Sequence, residues 1–259
     1  MTPPKTACLL LHGFGGTPFE VEPLIPGLEA LGCTVDLPTY PGHSGDIAEF
    51  RRTFFSDWLA HAEERFLALT QCHDLVIPIG FSMGGSIALT LAAKHSKLSQ
   101  TGGVVGLAPA YQVYRFFPFN RRRSWLILTP LLQYIRPEIP VSASNPESDA
   151  IAPFRGYENS ICLPQLHSLA QGLKRMRALL PELSCPLLMQ YEVNDGICQP
   201  EAALRIARDV AAQDISVRLL RMNEHTTSHH MLTTHRDTKD AVAGETAAFV
   251  KRRMKDFSR

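Results

Sequence analysis

Six short apolar runs separated by helical patterns constrain this chain more than any other feature. They are Ala7–His12, Thr34–Leu37, Asp74–Ile79, Gly103–Leu107, Pro186–Tyr191 and Val217–Met222. Most are continuously apolar rather than alternating, so both faces of each strand must be covered. Strand, helix and strand in turn is the order that parallel βαβ units require. The pattern therefore predicts an α/β fold with a mostly parallel sheet flanked by helices. Trp58–Leu69 opens with Ser56-Asp57 and carries Trp58, Leu59, Ala62, Phe66, Leu67 and Leu69 at mostly helical spacing. A last helix is predicted near Asp240–Met254. Thr17-Pro18-Phe19-Glu20 offers an N-cap, a proline at the first helical position and a glutamate at the third, the signature of a capping box. Pro23 and Pro26 leave the true start of that helix open.

The alternation breaks between Ala110 and Leu183, a stretch far longer than a βα connection. It predicts a helical cap inserted over the carboxyl end of the sheet, residues 110–183, with residues 1–109 and 184–259 forming the core. Phe116, Phe117, Phe119, Trp125, Leu126, Leu128, Leu131 and Leu132 exceed what a solvated connector needs. Part of this surface is expected to pack on the core, and part to line an apolar pocket, with Phe116, Phe117, Phe119, Trp125 and Leu128 as its substrate-facing candidates. Arg121-Arg122-Arg123 reads as a solvated helix start or as a seat for an acidic group.

A chain of 259 residues, 45% of them hydrophobic, suits one larger α/β domain. A net charge of +1 removes the electrostatic case for nucleic acid or an anionic membrane as main partner. The five apolar residues Ala7 to Leu11 are too few for a signal peptide's apolar region, and no run is long enough to span a bilayer. Cys8, Cys33, Cys72, Cys162, Cys185 and Cys198 are scattered without a C-x-x-C pair, which suggests neither a zinc site nor a disulfide framework. A reduced, cytoplasmic monomer or homodimer without metal is expected.

Gly80-Phe81-Ser82-Met83-Gly84-Gly85 lies directly after one apolar run and directly before the helical Ile87–Ala93. G-x-S-x-G between strand and helix is the setting in which a serine hydroxyl stands clear as a nucleophile. The bland alternative is a tight turn whose serine caps the helix. A nucleophilic serine needs a base, and the base needs an orienting acid. Where the serine stands in a strand-to-helix G-x-S-x-G elbow, the chain order is serine, acid, histidine. Asp195 follows a strand in the turn Glu192-Val193-Asn194-Asp195-Gly196 and is the candidate acid, with Glu192 its rival. His225, His229 and His230 follow the last strand. His230 is preferred and His229 is next; adjacent loop histidines cannot point the same way, so only one is expected to reach Ser82. A metal site from His225, His229, His230 and His235 lacks ordered ligand spacing. His12-Gly13-Phe14-Gly15-Gly16 follows the first strand, so Phe14 and Met83 are the candidate N–H donors to an oxyanion, with His12 structural. The loop has neither P-loop nor G-x-G-x-x-G spacing.

Together, His12–Pro18, the turn Tyr40-Pro41-Gly42-His43-Ser44-Gly45, the elbow Gly80–Gly85 and Ser228-His229-His230 resemble the α/β-hydrolase fold. More narrowly, they are similar to bacterial carboxylesterases and monoacylglycerol lipases, over about Ala7 to Phe249 with the cap the poorest match. The resemblance implies esters of short to medium acyl chains as substrates, and no cofactor. The branch carries a histidine two positions after a serine, which matches Ser228 and His230 and favours His230. The usual small residue between them is His229 here. A thioesterase or carbon–carbon hydrolase uses the same fold and remains the alternative reading, with a non-catalytic binding protein more remote.

Overall fold

The computed structural model describes residues 3–113, 128–141, 145–157 and 159–258. Its centre is a parallel sheet in the order β2-β1-β3-β4-β7-β8, formed by β1 (Thr6–Leu11), β2 (Thr34–Asp36), β3 (Leu75–Phe81), β4 (Val104–Leu107), β7 (Leu187–Glu192) and β8 (Ile215–Leu220). A separate antiparallel pair, β5 (Glu138–Pro140) and β6 (Ser160–Cys162), lies in the insertion. Every residue of β1, β3, β4 and β7 is buried, as their unbroken apolar sequences require. The last strand begins two residues earlier than expected and is only half covered. It is one edge of the sheet, with β2 the other, and Val217, Arg218 and Leu219 are exposed.

The helices are α1 (Ile25–Glu29), α2 (Ile47–Phe50), α3 (Phe55–Thr70), α4 (Met83–Lys94), α5 (Thr129–Ile135), α6 (Pro146–Ile151), α7 (Leu163–Leu179), α8 (Glu201–Asp209) and α9 (Lys239–Phe257). α3, α4 and α7 pack on one another, and α1 packs on α9. α4 is apolar all round and buried from Met83 to Ala93, which makes it the central helix of its layer. α3 starts at Phe55, with the Asp57 carboxylate accepting from the Phe54 N–H at 2.8 Å.

The capping box expected at Thr17–Glu20 does not form. The segment is two short 3₁₀ turns, Pro18–Glu20 and Glu22–Leu24, and Thr17 makes no side-chain cap bond. Pro23 and Pro26 remove N–H groups that a continuous helix would need. Glu20 instead turns inward, to 2% exposure.

The insertion leaves the core after β4. α7, at its end, buries Leu163, Gln165, Leu169, Gly172, Leu173 and Met176. At Gly172 a Cβ would come within 2.1 Å of the Phe55 ring, so the close approach of α7 to α3 depends on that glycine. α7 packs on α3 and α4 of the core and also on α5 of the insertion. Leu128 precedes α5 and is 52% exposed. Phe116, Phe117, Phe119, Arg121–Arg123 and Trp125 lie outside the described residues. Among the described residues, no helix is long and apolar enough to cross a membrane.

Candidate active site

Register alone brings the candidate-bearing loops together. β1 and β3 pair from Thr6↔Leu75 to Leu11↔Gly80, so the loop after Leu11 emerges beside Ser82. β3, β4 and β7 continue that line through Phe81↔Leu107 and Leu107↔Gln190, and the turn with Asp195 follows β7.

Ser82 has φ 54° and ψ −116°, a conformation that serine adopts only under constraint. Its N–H donates to Leu107 O at 2.8 Å, and its carbonyl accepts from Ala110 N–H at 3.1 Å. The flanking glycines are sterically required. A Cβ on Gly80 would lie 2.1 Å from Gly84 O, and one on Gly84 would lie 2.1 Å from Leu11 O. Helix α4 therefore starts in backbone contact with two strands, and its amino terminus faces the serine.

Ser82 Oγ is 2.9 Å from His230 Nε2, and His230 Nδ1 is 2.8 Å from Asp195 Oδ2. Asp195 is almost fully buried. Its other oxygen accepts from Ile197 N–H at 2.7 Å and Cys198 N–H at 2.8 Å. A carboxylate only accepts, so Nδ1 of His230 carries the proton and Nε2 is left to accept from the serine hydroxyl. The two loops are tied by Gly196 N–H donating to Ser228 O at 3.0 Å. The Cys198 sulfur lies 3.9 Å from Ser82 Oγ and edges the site, a contact that reading the sequence missed.

The rival candidates form a second set behind the first. His229 has φ 58°, which swings its ring away from that of His230. Its Nε2 donates to Glu224 O at 2.7 Å, and its Nδ1 lies 3.6 Å from Glu192 Oε2. Glu192 is fully buried, accepts from Asn194 N–H, and accepts from Met222 N–H at 3.2 Å. Glu224 feels burial pushing its pKa up. Hydrogen bonds from the Thr227 hydroxyl and N–H, from Thr226 N–H and from His235 outweigh it and hold the carboxyl down to about 2. Among the described residues, no group of three or more His, Cys, Asp or Glu side chains is arranged for a metal ion.

The glycine loop is clamped from beneath. Gly13 N–H donates to Glu20 Oε2 at 2.6 Å, and Gly15 N–H donates to His43 Nε2 at 3.2 Å. Tyr157 N–H donates to Gly15 O at 2.8 Å, and Gly16 bridges to Gly156, so the insertion is stitched to this loop. Phe14 packs edge-on to Phe50 and Trp58. Among the described residues no acceptor takes the N–H of Phe14 or of Met83. His12 lies under the loop, where burial and nearby His43 push its pKa down to about 3 against the pull of the Gly13 carbonyl. Burial likewise pushes His43 down to about 4. Both rings are neutral supports: His12 Nε2 accepts from Tyr40 N–H at 3.4 Å, and its Nδ1 donates to Gly13 O at 3.0 Å.

The chain is similar to several known proteins. A thermostable monoacylglycerol lipase from Bacillus sp. (strain H-257) is 29% identical over 217 residues, covering 84% of this chain and 81% of that protein. A carboxylesterase from Bacillus subtilis (strain 168) is 31% identical over 104 residues, 40% of this chain and 39% of that protein. A metagenome-derived lipolytic enzyme superimposes with TM-score 0.82 at 22% identity, covering 97% of this chain and 95% of the other. The monoacylglycerol lipase of Paleococcus ferrophilus does so with TM-score 0.73 at 17% identity, covering 95% and 94%. The model of the alpha/beta hydrolase family matches residues 8–244, and with this sheet and this strand-to-helix elbow the chain belongs to that family.

Proposed function

We propose that this protein is a serine hydrolase of carboxylic esters with short to medium acyl chains, monoacylglycerols among them. The observation that carries the reading is the unbroken path from Ser82 Oγ through His230 to Asp195 at 2.9 and 2.8 Å. The similarity to a monoacylglycerol lipase over 84% of the chain supports the substrate class.

In this reading the Ser82 hydroxyl attacks the ester carbonyl while His230 Nε2 takes its proton, and Asp195 stabilises the imidazolium that forms. The carbonyl oxygen becomes an oxyanion between the N–H groups of Phe14 and Met83. Collapse of the tetrahedral intermediate expels the alcohol, which leaves with the proton held by His230. Water then enters, His230 takes its proton, and the acyl-enzyme is hydrolysed. We place the cap at residues 110–183 and assign acyl recognition to its apolar side chains, Phe116, Phe117, Phe119, Trp125 and Leu128.

A panel of p-nitrophenyl esters of rising chain length, beside the matching acyl-CoA, tests the reading. Each buried methylene contributes about 0.8 kcal/mol, so kcat/KM climbs about fourfold per carbon until the pocket is full. Ser82→Ala abolishes turnover on every substrate. Activity surviving that substitution removes the serine mechanism. A flat chain-length dependence removes the acyl pocket, and strong preference for the thioester makes the chain a thioesterase.

A further inference from the structure

Glu20 is a buried carboxyl group that the proposed mechanism does not use. It is 2% exposed, and among the described residues no lysine, arginine or histidine forms an ion pair with it. The glycine loop is shaped around it. A Cβ at Gly16 would lie 2.5 Å from the Glu20 carboxyl carbon and 2.5 Å from Oε2, and one at Gly13 would lie 3.0 Å from Oε2. Two glycines of the loop thus leave the space that the carboxyl group fills, and Gly13 N–H bonds to it at 2.6 Å. Gly13 immediately precedes Phe14, whose N–H the proposed mechanism aims at the oxyanion. Removing the acceptor would leave a buried N–H unpaired one residue from that donor, and such a group reorganises its surroundings to find a partner.

We propose that Glu20 is a positioning residue for the oxyanion-binding loop, its buried carboxyl group holding Gly13 so that the Phe14 N–H stays aimed at the reacting carbonyl oxygen. The inference rests on the serine hydrolase reading above.

The clamp works with the acid form. Burial pushes the Glu20 carboxyl up to about 8, with the Gly13 N–H opposing. Its carbonyl oxygen accepts from Gly13 while the group stays uncharged, which avoids the cost of an unpaired buried charge. When the group ionises, a negative charge of the same sign as the oxyanion appears directly beneath the loop. Among the described residues, the neighbouring His12, His43, Tyr40 and Tyr157 keep their charge between pH 6 and 9. His12 and His43 are held neutral down to about 3 and about 4. Burial and nearby Glu20 raise the buried Tyr40 phenol well above its ordinary range. Tyr157 is raised, first by burial. Arg155 lies over the Phe19 ring.

The test is the pH dependence of kcat for hydrolysis of glycerol monobutyrate, followed by titration of released acid, in the wild type, Glu20→Gln and Glu20→Met. The amide of Gln accepts the same bond and never ionises. The wild type is expected to lose about tenfold or more of kcat as pH rises through about 8. Glu20→Gln keeps kcat within about threefold of wild type at pH 7 and lacks that alkaline fall. Glu20→Met, with no acceptor, loses about tenfold to a hundredfold in kcat while KM stays within about threefold, because the loop acts in the transition state. A wild type without the alkaline fall, a Gln variant that retains it, or a Met variant with wild-type kcat overturns the proposal. If the Met variant does not fold, the comparison of wild type with Gln decides alone. Activity in Ser82→Ala would overturn the hydrolase reading itself. Full loss in Ser82→Ala with no alkaline limb in the wild type would overturn only the role of Glu20.

Discussion

Two adjacent histidines show what a sequence can and cannot say about single residues. His229 and His230 are chemically identical, and only the backbone separates them. A φ of 58° at His229 directs its ring to Glu224 and Glu192, while His230 reaches Ser82 and Asp195. A left-handed residue other than glycine costs of order 1–3 kcal/mol. The hydrogen bond to Glu224 O offsets it here. His230→Ala is expected to lower kcat about a thousandfold or more, because no other group accepts the serine proton. His229→Ala keeps the strain and loses the offsetting bond, whereas His229→Gly loses both. Glycine should therefore restore thermal stability relative to alanine, with kcat in both within about tenfold of wild type. Kinetics and thermal unfolding of the three variants check the order; a dead His229→Ala beside an active His230→Ala would give the base role to His229. The chain order serine, acid, histidine made Ser82, Asp195 and His230 legible as candidates, because Ser82 and Asp195 lie just past strand ends and His230 lies in the loop after the last strand. Glu20 was not legible. Its spacing from Thr17 imitates a capping box, and its real partner, Gly13, is reached only when the loop folds back over it.

At the scale of elements, continuous apolar runs located the buried strands to within two residues, since a strand covered on both faces admits little polar sequence. The edge strand β8 was the least well placed, because half-exposed sequence carries a weaker signal. α7 falls in the stretch read as cap because strand–helix alternation breaks there, and it packs both on α3 and α4 of the core and on α5 of the insertion. The elbow was legible for a steric reason that the structure makes explicit. The neighbours of Gly80 and Gly84 are backbone atoms of α4 and β1, which cannot rotate away. Gly84→Ala would place a methyl 2.1 Å from Leu11 O, forcing the central helix off the sheet. The expected outcome is loss of soluble folded protein, read by yield and circular dichroism. Gly244→Ala, in α9 with nothing within 4 Å of the added Cβ, is the matched control and should fold with equal or slightly higher stability. Wild-type folding of Gly84→Ala would mean that the elbow is looser than its contacts indicate.

For the whole molecule, the parallel topology was legible from the alternation of elements, whereas the coupling of loop to cap was not. Residues 151–157 bond to Gly15, to Gly42 through the Tyr157 hydroxyl, and to Thr234 and Arg236, contacts between segments far apart in sequence. The same region gives the fold a pH signature. Glu20 rises from an ordinary 4.5 to about 8, chiefly through burial. The native state therefore keeps a proton that the unfolded chain releases above about 4.5. The stability this group contributes is full below that value and is lost as pH rises toward 8, by up to about 1.4 kcal/mol per pH unit. His12 and His43 act in the opposite sense. Buried and held neutral to about 3 and about 4, they favour the fold above an ordinary 6.5, and that contribution is lost as pH falls below it. Below 6.5 two histidines outweigh one glutamate, and between 6.5 and 8 the decline set by Glu20 remains. Urea unfolding of the wild type from pH 4.5 to 9 should thus reach its greatest stability near pH 6.5. Glu20→Gln should hold a plateau above that pH instead of declining. Parallel curves for the two proteins above pH 6.5 would mean that Glu20 is already ionised in the folded protein.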